Sequence, residues 1–152
     1  VIKDKEFILY ESHAIIKYIA SKYNKNNFLP SDLVKVAISD QWIDWVHTEL
    51  GNNMIPILIG LIRTPEKNRD MKKINDSIQK SEKSWSILND HLENRRWIGG
   101  ENFSLADIPA GVWIWRREEL PIEKKSLSNI KRWFNDLKKL DSFQKIVMKP
   151  LS

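Results

Sequence analysis

The alternation of apolar and polar positions predicts one short hairpin followed by helices. Two short apolar runs, residues 1–2 and 7–10, flank a polar turn at residues 3–6, which is the pattern of two antiparallel strands. Residues 12–23 then repeat apolar side chains at helical spacing. No other segment has the pattern of a strand. Because two strands alone are only marginally stable in water, we expect the hairpin to belong to a larger sheet whose other strands precede Val1.

A polar, proline-containing stretch at residues 24–33 predicts a linker, and the pattern beyond it is helical throughout. Residues 33–62 predict one long helix or a bent pair, with Gly51 and Pro56 at its weak point. Thr64-Pro65-Glu66 combines a cap, a proline and an acid, which predicts that a new helix begins there. Two further helices are expected near the C-terminus, so the fold class is mainly α.

The element around which the other helices are expected to pack lies at residues 97–120. Gly99-Gly100 is a chain-reversal signal, and Ser104 follows as the predicted N-cap of a helix. The Ser104 hydroxyl is expected to accept the backbone N–H of Asp107, whose carboxylate reaches back to the Ser104 N–H. Residues 105–115 are apolar on almost every side, which predicts a helix buried on most of its surface.

Composition places the chain among ordinary globular proteins. It has 152 residues, 41% hydrophobic and 30% charged, and its apolar runs are too short to cross a bilayer. With no cysteine, disulfides and thiol catalysis by these residues are excluded. The net charge is +5, but the basic residues form scattered pairs with acids between them, where nucleic-acid binding needs a stripe on one face. We therefore expect a cytoplasmic protein without nucleic-acid or membrane partners.

Candidate chemistry is concentrated in the pair Glu11-Ser12. The three histidines, His13, His47 and His91, are too scattered to predict a metal site, and we expect ordinary surface or packing roles for them. Glu11-Ser12 lies between a strand end and a helix N-terminus, where free N–H groups and the helix dipole favour an anion. Ser12 could bind the carboxylate of a ligand, and Glu11 could balance its ammonium. The pair therefore predicts a binding site for the head group of an amino acid. The alternative is that Ser12 only caps its own helix.

Four strings in the chain resemble the cytosolic glutathione S-transferase family. FILYESHAIIKYIASKY at residues 7–23 is similar to the end of its thioredoxin-like half, and FSLADIPAG at residues 103–111 is similar to the start of its central C-terminal helix. LIRTPEKNRD at residues 61–70 and FQKIVMKPLS at residues 143–152 resemble bacterial members of the theta- or beta-like kind. The resemblance spans the chain in the right order.

The resemblance implies a domain division and an architecture. Residues 1–23 would be a β-β-α remnant of the thioredoxin-like glutathione-binding domain, and residues 24–33 the linker. Residues 34–152 would form the all-helical C-terminal domain. The family's thiol-activating residue would lie before Val1, so we expect this chain to be inactive alone. The implied partners are glutathione, a small hydrophobic electrophile and a second subunit in a homodimer, with no metal.

The resemblance also implies roles for individual residues. Glu11 and Ser12 would hold the γ-glutamyl end of glutathione, and Asp44 would reach the same end in the partner's site across a dimer. An exposed helix acid is the alternative for Asp44. Three positions match the wall of the electrophile pocket: Trp45, Gly51 and Asn52. The alternative for Trp45 is that it packs in the core. Gly51 and Asn52 stand where relatives have larger basic or polar residues.

The function implied is conjugation or reduction of small electrophiles by glutathione, in a detoxification role. A thiolate is formed by hydrogen bonds and dipoles that lower the thiol pKa, and it attacks the electrophile or a peroxide. The alternative is a non-catalytic interaction module, because the same helical domain serves as an assembly adaptor in translation proteins that resemble transferases.

Overall fold

The computed structural model describes residues 1–23 and 28–151, and it begins with the predicted hairpin. Strands β1 (Ile2–Asp4) and β2 (Phe7–Leu9) pair antiparallel, with Ile2 opposite Leu9. Helix α1 (Ser12–Tyr23) follows directly. The period-2 and period-3.6 patterns thus predicted both elements, and the order hairpin then helix is confirmed.

The next segment is one helical rod with two wide turns. Helix α2 (Leu33–Trp45) continues through a π-helical turn at Val46–Gly51 into α3 (Asn52–Leu58), and a second π-helical turn at Ile59–Arg63 ends the rod. The predicted weak point at Gly51 is therefore a π-helical turn rather than a break, because π-helical turns are the usual way to insert a residue into a continuous helix.

The predicted restart of a helix at Thr64-Pro65-Glu66 is wrong. Only one 3-10 turn, Glu66–Asn68, forms there, and α4 (Met71–His91) begins after Asp70, whose carboxylate accepts the Lys73 N–H at 2.9 Å. The cause is Arg69, whose guanidinium donates to the carbonyls of Thr64 (3.1 Å) and Leu61 (2.9 Å). These bonds satisfy the end of the preceding rod and hold the connecting segment outside a helix.

Three more helices complete the bundle: α5 (Asp107–Glu119), α6 (Ser128–Leu137) and α7 (Asp141–Ile146). Helix α5 packs against the rod and α6. Within residues 105–115 only Ile108 is exposed, while Trp113 and Trp115 are half-buried, which agrees with the prediction of a helix packed on most of its sides. The largest fully buried side chains of the core include Trp85, Trp133, Met54, Leu88 and, from α5 itself, Ile114.

The entry to α5 differs from a standard capping box. The Asp107 carboxylate accepts the Ser104 N–H at 2.8 Å, but it also accepts the Ser104 hydroxyl at 2.6 Å, so that hydroxyl does not accept the Asp107 N–H. The Asp107 N–H bonds instead to the Ser104 carbonyl at 3.2 Å, which forms a tight turn before the helix begins. A hydroxyl close to a buried carboxylate donates to it because the charge-assisted bond is the stronger one.

Residues 24–27 of the predicted linker lie outside the described residues, and the domain division stays a prediction. Phe28 and Phe103 meet edge to face at 5.9 Å, which fixes the end of the linker segment to the turn before α5. Within the described ranges, no helix combines the length and the apolar character that a membrane span requires.

Candidate functional site

The junction between β2 and α1 has an unusual backbone. Glu11 has φ +69°, the left-handed region that non-glycine residues rarely adopt, and its carbonyl accepts the Ile15 N–H at 2.9 Å as α1 begins. Glu11 and Ser12 are both exposed. Within the part of the chain that the structure describes, the Ser12 hydroxyl makes no capping bond to its own helix. A strained residue beside an uncommitted hydroxyl at a helix N-terminus is an arrangement suited to an anionic ligand.

Side-chain contacts fix the hairpin against α1, so the junction has a defined geometry. The Tyr18 hydroxyl donates to the Asp4 carboxylate at 2.5 Å, and Lys22 donates to the same carboxylate. The Lys22 bond, and then the Tyr18 bond, hold the pKa of Asp4 below its usual value. Phe7 packs on the Tyr18 ring with centroids 5.5 Å apart. The side chains of α1 thus hold the turn of the hairpin in place.

His13 joins this junction to the helical rod. Its Nδ1 lies 3.0 Å from an Asp44 carboxylate oxygen, and its Nε2 lies 3.8 Å from Asp40, too far for a hydrogen bond. Lys17, one turn further along α1, bonds to Asp40 at 2.7 Å. The Asp44 side chain remains 70% exposed, so its carboxylate can still receive a ligand. The structure therefore brings Asp44 beside the first turn of α1 in the same chain.

His13 makes a polar contact between two helices, which is compatible with the ordinary surface or packing role expected for it. Its imidazole directly follows Glu11-Ser12 and contacts Asp44, a residue singled out for the same site. The available signal was its place in the first turn of α1, where a side chain lies close to any ligand at the helix N-terminus. His91, in contrast, does pack: its ring lies 4.2 Å from Trp42, and its Nε2–H donates to the Ile98 carbonyl at 2.8 Å.

The three positions expected to line an electrophile pocket do not share one environment. Trp45 packs edge to face on Trp42 at 5.0 Å. Asn52 is exposed, donates to the Thr48 carbonyl at 2.7 Å, and lines a shallow groove beside α4. Gly51 is buried and faces α5, where a Cβ added to it would lie 3.4 Å from Trp113 Nε1.

Helix α5 contributes two residues that sequence analysis did not single out for function. The Arg116 guanidinium lies 4.7 Å from the centroid of the Trp113 ring. Their i, i+3 spacing on one helix is the signal that predicts such contact. Arg117 forms one of the scattered basic pairs with Arg116, but its side chain is buried and pairs with Glu82.

Metal binding has no visible basis in the described residues, where no three histidine, aspartate or glutamate side chains are grouped to hold an ion. The carboxylates at the junction are instead engaged by Lys22, Lys17 and His13. What the junction offers chemically is one uncommitted hydroxyl, free helix N–H groups and two exposed carboxylates, Glu11 and Asp44. These groups suit a zwitterion that carries both a carboxylate and an ammonium.

Comparison with known proteins gives one family. Residues 50–141 match the family model described as the C-terminal domain of glutathione S-transferase. The chain is 29% identical to glutathione S-transferase GstB of Escherichia coli K12 over 149 residues, which are 98% of this chain and 72% of that protein. It is 30% identical to glutathione S-transferase F12 of Arabidopsis thaliana over 155 residues, covering 97% of this chain and 72% of that protein.

Solved structures give the same answer for the fold. The theta class glutathione S-transferase from Xanthomonas axonopodis pv. citri superposes in its apo form with a TM-score of 0.94 at 29% identity, over 99% of this chain and 78% of that one. The form of that enzyme with glutathione bound gives a TM-score of 0.93 at 29% identity, over 99% of this chain and 72% of that one. The mainly helical fold with an N-terminal hairpin is therefore confirmed.

Proposed function

This chain belongs to the glutathione S-transferase family, and from that premise we propose that it carries the γ-glutamyl half of a glutathione site at Glu11-Ser12. The single observation that supports the proposal is the left-handed Glu11 beside an exposed, uncommitted Ser12 at the start of α1. The activity proposed for the protein is transfer of glutathione to small electrophiles, or their reduction by it. Detoxification in the cytoplasm is the role that we propose with it.

The chemistry of the γ-glutamyl end fits these groups. Its α-carboxylate would accept hydrogen bonds from the Ser12 hydroxyl and from the first N–H groups of α1, where the helix dipole favours negative charge. Its ammonium would lie beside the Glu11 carboxylate. The contact of His13 with Asp44, at 3.0 Å, limits where the Asp44 carboxylate can go. We propose that Asp44 serves the partner's site across a homodimer, as the family resemblance implies.

The transfer step requires a thiolate, which attacks the electrophile to form a C–S bond while the leaving group departs with its electron pair. The helix N-terminus and the polar groups of a glutathione site stabilise that anion and lower the thiol pKa. We assign the thiol-activating role to none of residues 1–152. The second substrate is proposed to lie along the rod at Gly51, which faces Trp113 of α5.

Calorimetric titration of the 152-residue chain with glutathione tests the proposal. We expect binding with a dissociation constant between roughly 1 μM and 1 mM, and a loss of about tenfold or more on Ser12→Ala, because the carboxylate loses a charge-assisted hydrogen bond. Ser21→Ala is the matched control, since Ser21 is exposed near the other end of the same helix. Equal affinity of the wild-type chain and Ser12→Ala would contradict the proposal.

Absence of glutathione binding by the wild-type chain would instead favour the alternative, a non-catalytic interaction module. That alternative is supported by the exposed apolar side chains of the hairpin segment: Val1, Phe7, Ile8 and Tyr10. The uncommitted Ser12 hydroxyl argues against it, because a protein contact through the hairpin has no need of a head-group receptor.

A further inference from the structure

A cavity of about 810 Å³ lies between the end of the linker segment, α2 and the turn before α5. Its volume is within the range of small-molecule sites, roughly 300–1,000 Å³. Glu11, Ser12 and Asp44 do not line it, so it is separate from the proposed glutathione site. The lining of this linker cavity consists of residues 28–32, Lys35, Ser39, Asn94, Arg95 and residues 99–104.

Two walls of the linker cavity are held together by contacts within the chain. The Trp97 N–H donates to the Gly100 carbonyl at 2.8 Å, and the Gly100 N–H donates back to the Trp97 carbonyl at 2.9 Å, which closes the turn before α5. Phe103 packs edge to face on Phe28 at 5.9 Å and on Trp97 at 5.2 Å. The cavity is therefore preformed, and a preformed site lowers the entropic cost of binding.

Ser39 of α2 is the residue that points to a ligand. It lines the cavity and is only 7% exposed, but within the described ranges its hydroxyl has no hydrogen-bond partner. The helical serines Ser84 and Ser86 instead donate to the carbonyl one turn earlier, at 3.2 and 2.9 Å. A buried hydroxyl without a partner is unfavourable and uncommon. Because no hydrogen bond holds the Ser39 Oγ in its rotamer, the hydroxyl is free to turn towards a ligand in the cavity.

The charges of the linker cavity are balanced but not paired with each other. Its charged side chains are Lys35, Arg95, Asp32 and Glu101. None of these four forms an ion pair with any residue that the structure describes. A ligand with a single charge would be attracted by two of them and repelled by the other two. The lining therefore favours a ligand that carries one charge of each sign.

Two amide side chains add a further requirement on the ligand. Asn94 and Asn102 line the cavity, and neither amide makes a hydrogen bond in the described part of the chain. Each offers one carbonyl acceptor and one NH₂ donor, which is the complement of a peptide group. The rings of Phe28 and Phe103 supply apolar surface beside them. The lining thus matches a molecule with peptide groups, an apolar side chain and two opposite charges.

We propose that the linker cavity binds short zwitterionic peptides of about two or three residues. The ammonium of the peptide lies beside Asp32 and Glu101, and its carboxylate lies beside Lys35 and Arg95. The two asparagines and the Ser39 hydroxyl bind the peptide groups between these ends. The inference goes beyond the transferase proposal and does not rest on it, because no residue at the start of α1 takes part.

Calorimetric titration of the 152-residue chain with three related dipeptides tests the inference. The probes are Ala-Phe, its N-acetyl form, which has no ammonium, and its C-terminal amide, which has no carboxylate. We expect each blocked form to bind roughly tenfold more weakly than Ala-Phe, since each loses one charge-assisted interaction. Equal affinities for the three probes, or no binding of Ala-Phe at about 10 mM, would overturn the inference.

Two charge variants assign the ends of the peptide. Lys35→Gln is expected to lose roughly tenfold in affinity for Ala-Phe and none for the amide, which has no carboxylate to bind. Glu101→Gln is expected to lose affinity for Ala-Phe and none for the N-acetyl form. Lys67→Gln is the control, because Lys67 is an exposed lysine that does not line the cavity. Unchanged binding of Ala-Phe by both variants, or equal losses for charged and blocked probes, would refute the assignment.

Ser39→Ala separates binding from folding. We expect a severalfold loss of affinity for Ala-Phe with an equal or higher melting temperature, because the hydroxyl that is removed makes no bond within the described chain. Alanine is also the better helix former. A lower melting temperature would show that the hydroxyl is bonded within the fold, and unchanged affinity would show that it does not touch the peptide. Either result would count against the inference.

Discussion

Replacing Arg117 by methionine removes one half of an ion pair at the centre of the bundle. The Arg117 Nε and Nη2 atoms donate to the two oxygens of Glu82, each at 2.8 Å, in a fork between α5 and α4. The two side chains are 3% and 8% exposed. Glu82 also accepts the Lys125 N–H at 2.9 Å, and Arg117 donates to the Lys125 carbonyl at 3.1 Å. The pair thus holds the connection between α5 and α6 as well as two helices.

The expected loss of unfolding free energy follows from the Glu82 carboxylate, which remains buried. In Arg117→Met the Glu82 carboxylate stays in the core with the Lys125 N–H as its remaining donor, and breaking a buried pair in this way costs ~3–5 kcal/mol of unfolding free energy. For a chain of this size the melting temperature falls by roughly 10 °C. The double variant, Arg117→Met with Glu82→Met, buries no charge. Its loss is mainly the unpaired Lys125 N–H, about 1–3 kcal/mol, so it is expected to be more stable than Arg117→Met alone.

Urea unfolding followed by tryptophan fluorescence measures these values, and the two single variants with the double complete a mutant cycle. Arg96→Met is the control, because the Arg96–Asp136 pair is at the surface and is expected to change stability by less than about 1 kcal/mol. A loss below about 1 kcal/mol for Arg117→Met would refute this account, as would additive losses in the cycle.

Three further predictions concern other parts of the chain. Gly99→Ala should destabilise by about 1–3 kcal/mol, measured by urea unfolding, because the added Cβ would lie 2.6 Å from the Ser104 Cβ; unchanged stability would contradict the geometry. Burial lowers the pKa of His91, so its contribution to stability is complete above the ordinary value of 6.5 and is lost as pH falls through that value towards the lowered one. Melting curves of His91→Gln, whose amide can still donate to the Ile98 carbonyl, should show a flatter dependence on pH in that range than the wild-type chain, and an equal slope would exclude this role. The 152-residue chain alone should not conjugate glutathione to chloronitrobenzene, and turnover near that of ordinary transferases would show that it holds its own thiol-activating residue.

Local patterns predicted elements well wherever one signal was unopposed. Alternation gave the hairpin and helical spacing gave α1, because no long-range contact competes with either. The start at Thr64-Pro65 failed for the opposite reason. A cap, a proline and an acid favour a helix locally, but Arg69 binds the carbonyls of Leu61 and Thr64 and stabilises another conformation. Hydrogen bonds from a side chain to backbone carbonyls depend on how the chain folds back on itself. The spacing of apolar residues in the sequence does not predict them.

The candidate site also combines features that the sequence predicts with features that only the structure shows. The place of Glu11-Ser12 follows from the order strand, acid, hydroxyl, helix, which is visible in the sequence. The left-handed φ of Glu11 does not, since glutamate has no preference for that region. The contact between His13 and Asp44 joins residues that are far apart in the chain, on two helices whose packing is set by the whole bundle.

The adjacent arginines of α5 show most clearly what a sequence leaves open. Arg116 and Arg117 have the same chemistry, but successive positions on a helix point about 100° apart. One side chain therefore enters the core, where Glu82 compensates its charge, and the other lies half-buried on the Trp113 ring. Arg117 contributes directly to the stability of the fold through that ion pair. Arg116 makes no ion pair with the described residues, so changes at Arg116 are expected to lower the unfolding free energy much less than changes at Arg117.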